Sequence, residues 1–96
     1  KLDGAKLHLA NLRKATLSQA DMSGADLSDA VLVQAELKGA KLRGANLTGT
    51  QLTRAALCGA DLSETAVTQE QIDFAHGNNA TRLPPGLKKP KLWPNC

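Results

Sequence analysis

Ninety-six residues at 10.1 kDa hold one small domain at most, which excludes a two-domain enzyme. Twelve basic against nine acidic residues give +3, a balance that predicts neither a nucleic-acid-binding tail nor an acidic DNA mimic. With one Phe, one Trp and no Tyr there is no aromatic core, and no apolar run nears the ~18 residues of a membrane span.

The chain repeats from its first residues. Leu2, Leu7, Leu12, Leu17, Met22, Leu27, Leu32, Leu37, Leu42, Leu47, Leu52, Leu57, Leu62 and Val67 stand five apart without a slip. Ala stands two residues before each centre from Leu7 onward, and only Thr50 and Thr65 depart from it. A period of five makes no single face on an α-helix, and on a flat strand it throws successive Leu to opposite sides. The conflict disappears if the chain turns a corner once per repeat. Leu7 to Leu62 then form an inward core beside the narrow Ala positions. The other places face water, with Asp21, Asp26 and Asn46 before the centre, Ser18, Ser23 and Ser28 after it, and Gly24, Gly39, Gly44, Gly49 and Gly59 at the corner.

Ala20-Asp21-Met22-Ser23-Gly24, Ala25-Asp26-Leu27-Ser28-Asp29 and Ala45-Asn46-Leu47-Thr48-Gly49 resemble the A(D/N)LXX unit of the pentapeptide repeat family. The resemblance covers residues 1–67. It implies an all-β fold, a right-handed quadrilateral β-helix with four units per coil, so fourteen units make about 3.5 coils, roughly 17 Å tall. Residues twenty apart then stack, and Asp21, Lys41 and Asp61 fall in one column of alternating charge. Such an exposed ladder is worth a few tenths of a kcal/mol per pair.

After Val67 the period stops, and residues 68–96 read as a C-terminal cap. Thr68 and Gln71 form a capping box, and Gly77 reads as a C′ residue, so a helix is predicted over 69–76. Leu83-Pro84-Pro85-Gly86-Leu87, Pro90 and Trp93-Pro94 specify an extended, turn-rich segment. Ile72, Phe74, Leu83, Leu87 and Trp93 are the residues expected to cover the open last coil. The stretch from Thr68 to Trp93 is also similar to a tail that commonly follows pentapeptide arrays, while Lys88-Lys89-Pro90-Lys91 offers a basic docking stretch. At the other end, Lys1 is already inside the repeat and no initiator Met is present. A processed chain or a preceding segment is expected, and an open first coil would need a partner, a second copy or that segment to cover it.

Chemistry is sparse. His8 and His76 lie outside metal-ligand spacing, the carboxylates are dispersed, and a convex solenoid offers no cleft in which to desolvate a nucleophile. No enzyme, cofactor or metal site is predicted. Cys58, one residue after a centre, should face outward, where a bridge to Cys96 would staple the tail to the outer wall. Two free thiols are the alternative.

One wall departs from the Asp, Asn and Ser habit. Around Leu12, Leu32 and Leu52 it shows Arg13, Lys14, Val31, Val33, Gln34, Gln51 and Arg54, an apolar centre with a basic rim. The expected function is a non-catalytic interaction module, an accessory subunit docking on a larger complex. The family's frequency in cyanobacteria and plastids, with the missing Met and the Cys pair, points to the thylakoid lumen or periplasm, with the cytoplasm as alternative. There the partner would be a photosynthetic membrane complex, contacted peripherally from the lumenal side. A topoisomerase-binding DNA mimic, as in quinolone-resistance relatives, is the competing function. It needs a tall acidic rod, whereas residues 1–68 carry 8 basic and 7 acidic residues.

Overall fold

The computed structural model describes residues 3–90 and residue 93. Leu2, Lys91, Pro94 and Cys96 therefore lie outside the described residues.

Each five-residue unit makes one flat step and one corner. The residue before each centre pairs in parallel with the residue twenty further on, as in Lys6 with Asp26, Asn11 with Val31, Thr16 with Glu36 and Asp21 with Lys41. Twenty residues are four units, so the chain rounds four corners before stacking on itself. The bridges stay isolated because a turn every five residues leaves room for a single paired residue.

The corners are tight turns. Each centre carbonyl accepts from the Ala N–H three residues on, Leu7 O from Ala10 N at 2.9 Å and Leu32 O from Ala35 N at 3.0 Å. The second residue inside the turn has positive φ, +73° at Gly44 and also 61° at Lys14 and Gln34 and 60° at Arg54. That geometry is a type II turn, which favours Gly there. The Asp or Asn before the centre braces the same corner. The side chains of Asp21, Asn46 and Asp61 accept from the N–H groups of Ser23, Thr48 and Ser63 at 3.0–3.1 Å. Short acceptors therefore recur at this outward place for a local reason.

The core is a stack of centres and alanines, with Met22, Leu27, Leu32, Leu37, Leu42, Leu47, Leu57 and Leu62 fully buried and Leu52 2% exposed. Leu7, Leu12 and Leu17, expected in the core, are only half-buried, because no described coil lies beneath them. The two threonines that replace Ala are also inward. Thr50 Oγ1 donates to Leu27 O and Thr65 Oγ1 to Leu62 O, both at 2.7 Å, so neither hydroxyl is left unsatisfied.

The repeat does not stop at Val67. His76 pairs with Ala56 in the same twenty-residue register, and Arg82 pairs with Asp61 after one inserted residue. Ile72, Ala75, Gly77, Thr81 and Leu83 thus occupy the next centre and Ala places. The pattern is hidden because its side chains have changed. The helix α1, Gln69–Asp73, is shorter than the predicted 69–76. It ends at Phe74 because the chain beyond must return to the ladder, where His76 N donates to Ala55 O at 2.8 Å.

Gln71 explains how a helix turn fits on a β-coil. Its backbone N–H serves the capping box with Thr68 Oγ1, so it cannot make the ladder bond to Thr50 O. Its side-chain Nε2 makes that bond instead at 2.9 Å, and donates to Leu47 O at 2.8 Å. Thr81 repeats the role of Thr50, its Oγ1 donating to Leu57 O at 2.7 Å.

Gly77 is not a C′ residue, since it lacks the positive φ of a left-handed cap. It stands above Leu17, Leu37 and Leu57, where the column would place another large side chain. The indole of Trp93 fills that space: a Cβ at Gly77 would lie 2.5–2.6 Å from ring atoms of Trp93. Trp93 is 8% exposed and donates from Nε1 to Ala75 O at 3.0 Å. Of the other expected cap residues, Ile72 is buried, and Leu83 and Leu87 are half-buried against the core. Phe74 is 64% exposed and covers nothing, because the helix end turns it outward.

Candidate protein-contact wall

The wall centred on Leu12, Leu32, Leu52 and Ile72 is held by a regular ladder. Leu12 N donates to Val31 O at 2.8 Å, Lys14 N to Val33 O at 3.0 Å and Leu32 N to Gln51 O at 2.8 Å. The ladder sets Val31 above Asn11 and below Gln51. Val31 and Val33 keep part of their surface in water, while Arg13, Lys14, Gln34, Gln51 and Arg54 are exposed. The structure thus places the predicted wall residues on one face.

Sequence reasoning missed the top and the edge of this face. Phe74 crowns the corner column of Lys14, Gln34 and Arg54, its carbonyl accepting from Arg54 N at 2.7 Å. Leu9, 66% exposed with φ 65°, sits on the opposite corner, where the neighbouring wall ends. Among the described residues these are the two exposed large hydrophobics, and both border this wall. Leu9 was legible as an apolar residue at a corner place. Phe74 was not, because a capping role depended on where the helix ended.

A family model for pentapeptide repeats matches in eight copies over residues 1–29 and 25–63. The chain belongs to the pentapeptide repeat family. The family match indicates no enzymatic family. The chain is similar to the crystal structure of the pentapeptide repeat protein Rfr23 from the cyanobacterium Cyanothece 51142. That match has 32% identity and a TM-score of 0.70, covering 81% of this chain and 53% of that one. HetL, a pentapeptide repeat protein involved in heterocyst differentiation regulation in the cyanobacterium Nostoc, matches at 32% identity and a TM-score of 0.60, over 78% of this chain and 39% of its own. A pentapeptide repeat protein from the Arabidopsis thaliana thylakoid lumen shares the fold, with 19% identity, a TM-score of 0.68, and coverage of 93% and 57%. The chain thus spans between 39% and 57% of the length of these structures. A comparison with curated proteins gives no match.

Within this pentapeptide array the reactive side chains engage one another rather than a cavity. His8 Nδ1 lies 2.9 Å from Ser28 Oγ, and Ser28 Oγ donates to Asp26 at 2.6 Å. The three residue types are those of a hydrolase, but the order is wrong for one. The hydroxyl proton goes to the carboxylate, so the imidazole is not placed to remove it. The Ser28 hydroxyl, then its N–H, holds the Asp26 carboxyl below the ordinary 3.8 against a smaller opposing effect of burial, with His8 adding to the lowering. Ser28 is therefore not the inert outward residue that the repeat suggests. Among the described residues no three His, Cys, Asp or Glu side chains are grouped to hold a metal, and no helix is long and apolar enough to cross a membrane.

The tail makes the molecule less convex than the repeat predicts. An open depression of about 980 Å³ lies between Asn79–Leu83 and Leu87–Lys89. Two of its cations are matched within the chain: Lys89 Nζ donates to Asn79 O at 2.6 Å, and Arg82 faces Asp61. The predicted charge column Asp21, Lys41, Asp61 exists as a backbone ladder and Arg82 extends its alternation.

Cys58 occupies the expected outward place but is only 8% exposed, and it is disulfide-bonded.

Proposed function

We propose that this chain is a non-catalytic interaction module that docks on a larger protein assembly through the Leu12–Leu32–Leu52–Ile72 wall. One observation carries the reading. Leu9 and Phe74, at 66% and 64% exposure, lie on the two edges of the one wall that also presents Val31 and Val33. An apolar centre ringed by Arg13, Lys14 and Arg54 suits a partner with an apolar patch and an acidic rim.

The array over residues 1–67 is read as right-handed, of about 3.5 coils, with 68–96 as its cap rather than a second domain. Support for the cap comes from the return of His76 and Arg82 to the ladder. A disulfide at Cys58 favours an oxidising compartment, the thylakoid lumen or periplasm, over the cytoplasm. Cyanobacterial relatives at 32% identity fit the more specific form of the proposal, an accessory piece on the lumenal side of a photosynthetic membrane complex.

The test is co-purification from the native source with Val31→Asp and Val33→Asp combined. Loss of the partner with an unchanged circular dichroism spectrum supports the wall. An unchanged yield of partner makes it ordinary surface and moves the search to the chain ends.

A further inference from the structure

The apolar side chains of the docking wall run along its diagonal, and its charges separate to either side of that line. Leu9 stands on the first coil at the corner where the wall begins, and Phe74 stands three coils higher at the corner where it ends. Val31 and Val33 lie between them on the second coil. Among the described residues of the wall, the cations Arg13, Lys14 and Arg54 fall below the diagonal, towards the first coil and the closing corner. The acids fall above it. Asp29 stacks on Leu9 in the twenty-residue register, and Asp73 precedes Phe74, its carboxylate accepting from Gln69 Nε2 at 2.9 Å. The backbone of the wall is already paired within the ladder. Val31 N donates to Ala10 O and Gln51 N to Ala30 O, while the carbonyls of Val31 and Val33 accept from Leu12 N and Lys14 N.

We propose that the partner segment seated on this wall is an amphipathic α-helix, acidic along the flank that meets Arg13, Lys14 and Arg54. The proposal rests on the docking reading above and gives that partner a shape. An extended segment would lay N–H and C=O groups against a surface with no backbone group left to pair them, and each one buried unmet costs free energy. A helix meets its own backbone bonds and presents side chains alone. Charge then fixes which way it lies. Acidic side chains belong below the apolar stripe, and neutral or basic ones above it, opposite Asp29 and Asp73. A helix turned end for end would set like charges together along both flanks, which disfavours it.

The dimensions agree with a helix of three turns. Three coil steps of ~4.8 Å and a wall about three extended residues wide, at ~3.3 Å each, make a diagonal of roughly 17 Å. At ~1.5 Å per residue a helix covers that length in about eleven residues, whereas an extended chain needs about five. Apolar residues at every third or fourth position of the helix meet Leu9, Val31, Val33 and Phe74 in turn.

The experiment places the photoreactive residue p-benzoylphenylalanine at Leu9, Val33 or Phe74 of the full chain, one site at a time. Each variant is irradiated in extract of the native source, and the partner residues joined to it are mapped by mass spectrometry. All three side chains reach water, so the fold should be kept, and circular dichroism checks it. Adducts from the Leu9 and Phe74 sites should fall about eleven residues apart in one segment, with those from Val33 between them and Asp or Glu along one flank. Arg13→Glu with Lys14→Glu should lower the yield at all three sites several-fold. Adducts about five residues apart, adducts spread over unconnected segments, or yields that ignore the charge reversal would overturn the helix and leave the wall a docking surface. No adduct from these three sites, where the same photoreactive residue at Lys41 on the wall centred on Leu42 gives one, would remove the docking reading and the helix with it.

Discussion

The Trp93 indole stands where a Gly77 side chain would have to go, with ring atoms 2.5–2.6 Å from the position of a Cβ. A residue far along the tail thus completes the column begun by Leu17, Leu37 and Leu57. Gly77→Ala forces a rigid ring out of a packed niche and should lower stability by about 1–3 kcal/mol. Gly44 provides the contrast. Nothing lies within 4 Å of its Cβ position, but its φ is +73°. Gly44→Ala should cost roughly 1–2 kcal/mol through the backbone alone. Urea titrations of both, followed by Trp93 fluorescence, separate the two causes. Gly77→Ala should shift the native emission, and Gly44→Ala should not.

The regular part of the fold was legible because every level of the pattern agreed. Leu at the centre, Ala two before, Asp or Asn one before and Gly two after each has a local physical role, and all four point to the same corner. The tail was less legible because its coil positions carry different residues. Ile72 and Leu83 replace Leu at centres, Thr81 replaces Ala, and an inserted residue shifts Arg82 out of the period of five. Gly77 misled because a glycine after a short helix reads as a cap, while the reason for it lies sixteen residues away. The wall was visible at Val31 and Val33, where side chains alternate simply. Its Phe74 crown depended on the position of a helix end, and those boundaries follow from the ladder.

Burial along the Leu column should appear as a gradient in stability. Leu37 is fully buried between coils, so Leu37→Ala should cost about 2–5 kcal/mol, and Leu32→Ala similarly. Leu17, half-buried, should cost less when truncated. Thr53→Ala, on an exposed corner, should stay within about 0.5 kcal/mol. Denaturant unfolding of the four variants checks the order, and a Thr53 effect equal to that of Leu37 would refute the inward–outward assignment.

Acid should loosen the array through Asp61 and Asp26. At Asp61 burial pushes the carboxyl up, but the Ser63 hydroxyl and N–H, with Arg82 and Arg43, together hold it below the ordinary 3.8. A carboxyl depressed in the folded state stabilises above its unfolded value and loses that contribution as pH falls through the folded one. Stability should therefore be level from neutral pH to about 5 and fall below about 4. Asp61→Asn should flatten the acid limb, because the amide keeps an acceptor for Ser63 but does not titrate. Thermal melts from pH 7 to 3 give the comparison.

The last expectation separates the two halves of the docking wall. If Val31 and Val33 supply the apolar centre and Phe74 its apolar edge, truncating them acts after encounter, by letting water into the contact. Phe74→Ala should then raise the dissociation rate of the native partner while leaving the fold intact, since its side chain is 64% exposed and off the core. Arg13 and Arg54 stand at the rim, in water, where charges steer approach more than they hold. Arg13→Glu with Arg54→Glu should slow association and remove most of its salt dependence, with a smaller change in dissociation. Surface-plasmon kinetics at two ionic strengths read both rates. If the charge-reversed variant dissociates faster but associates at the same rate, the arginines are buried in the contact. The basic rim would then belong to the interface centre, and the valines would be its edge.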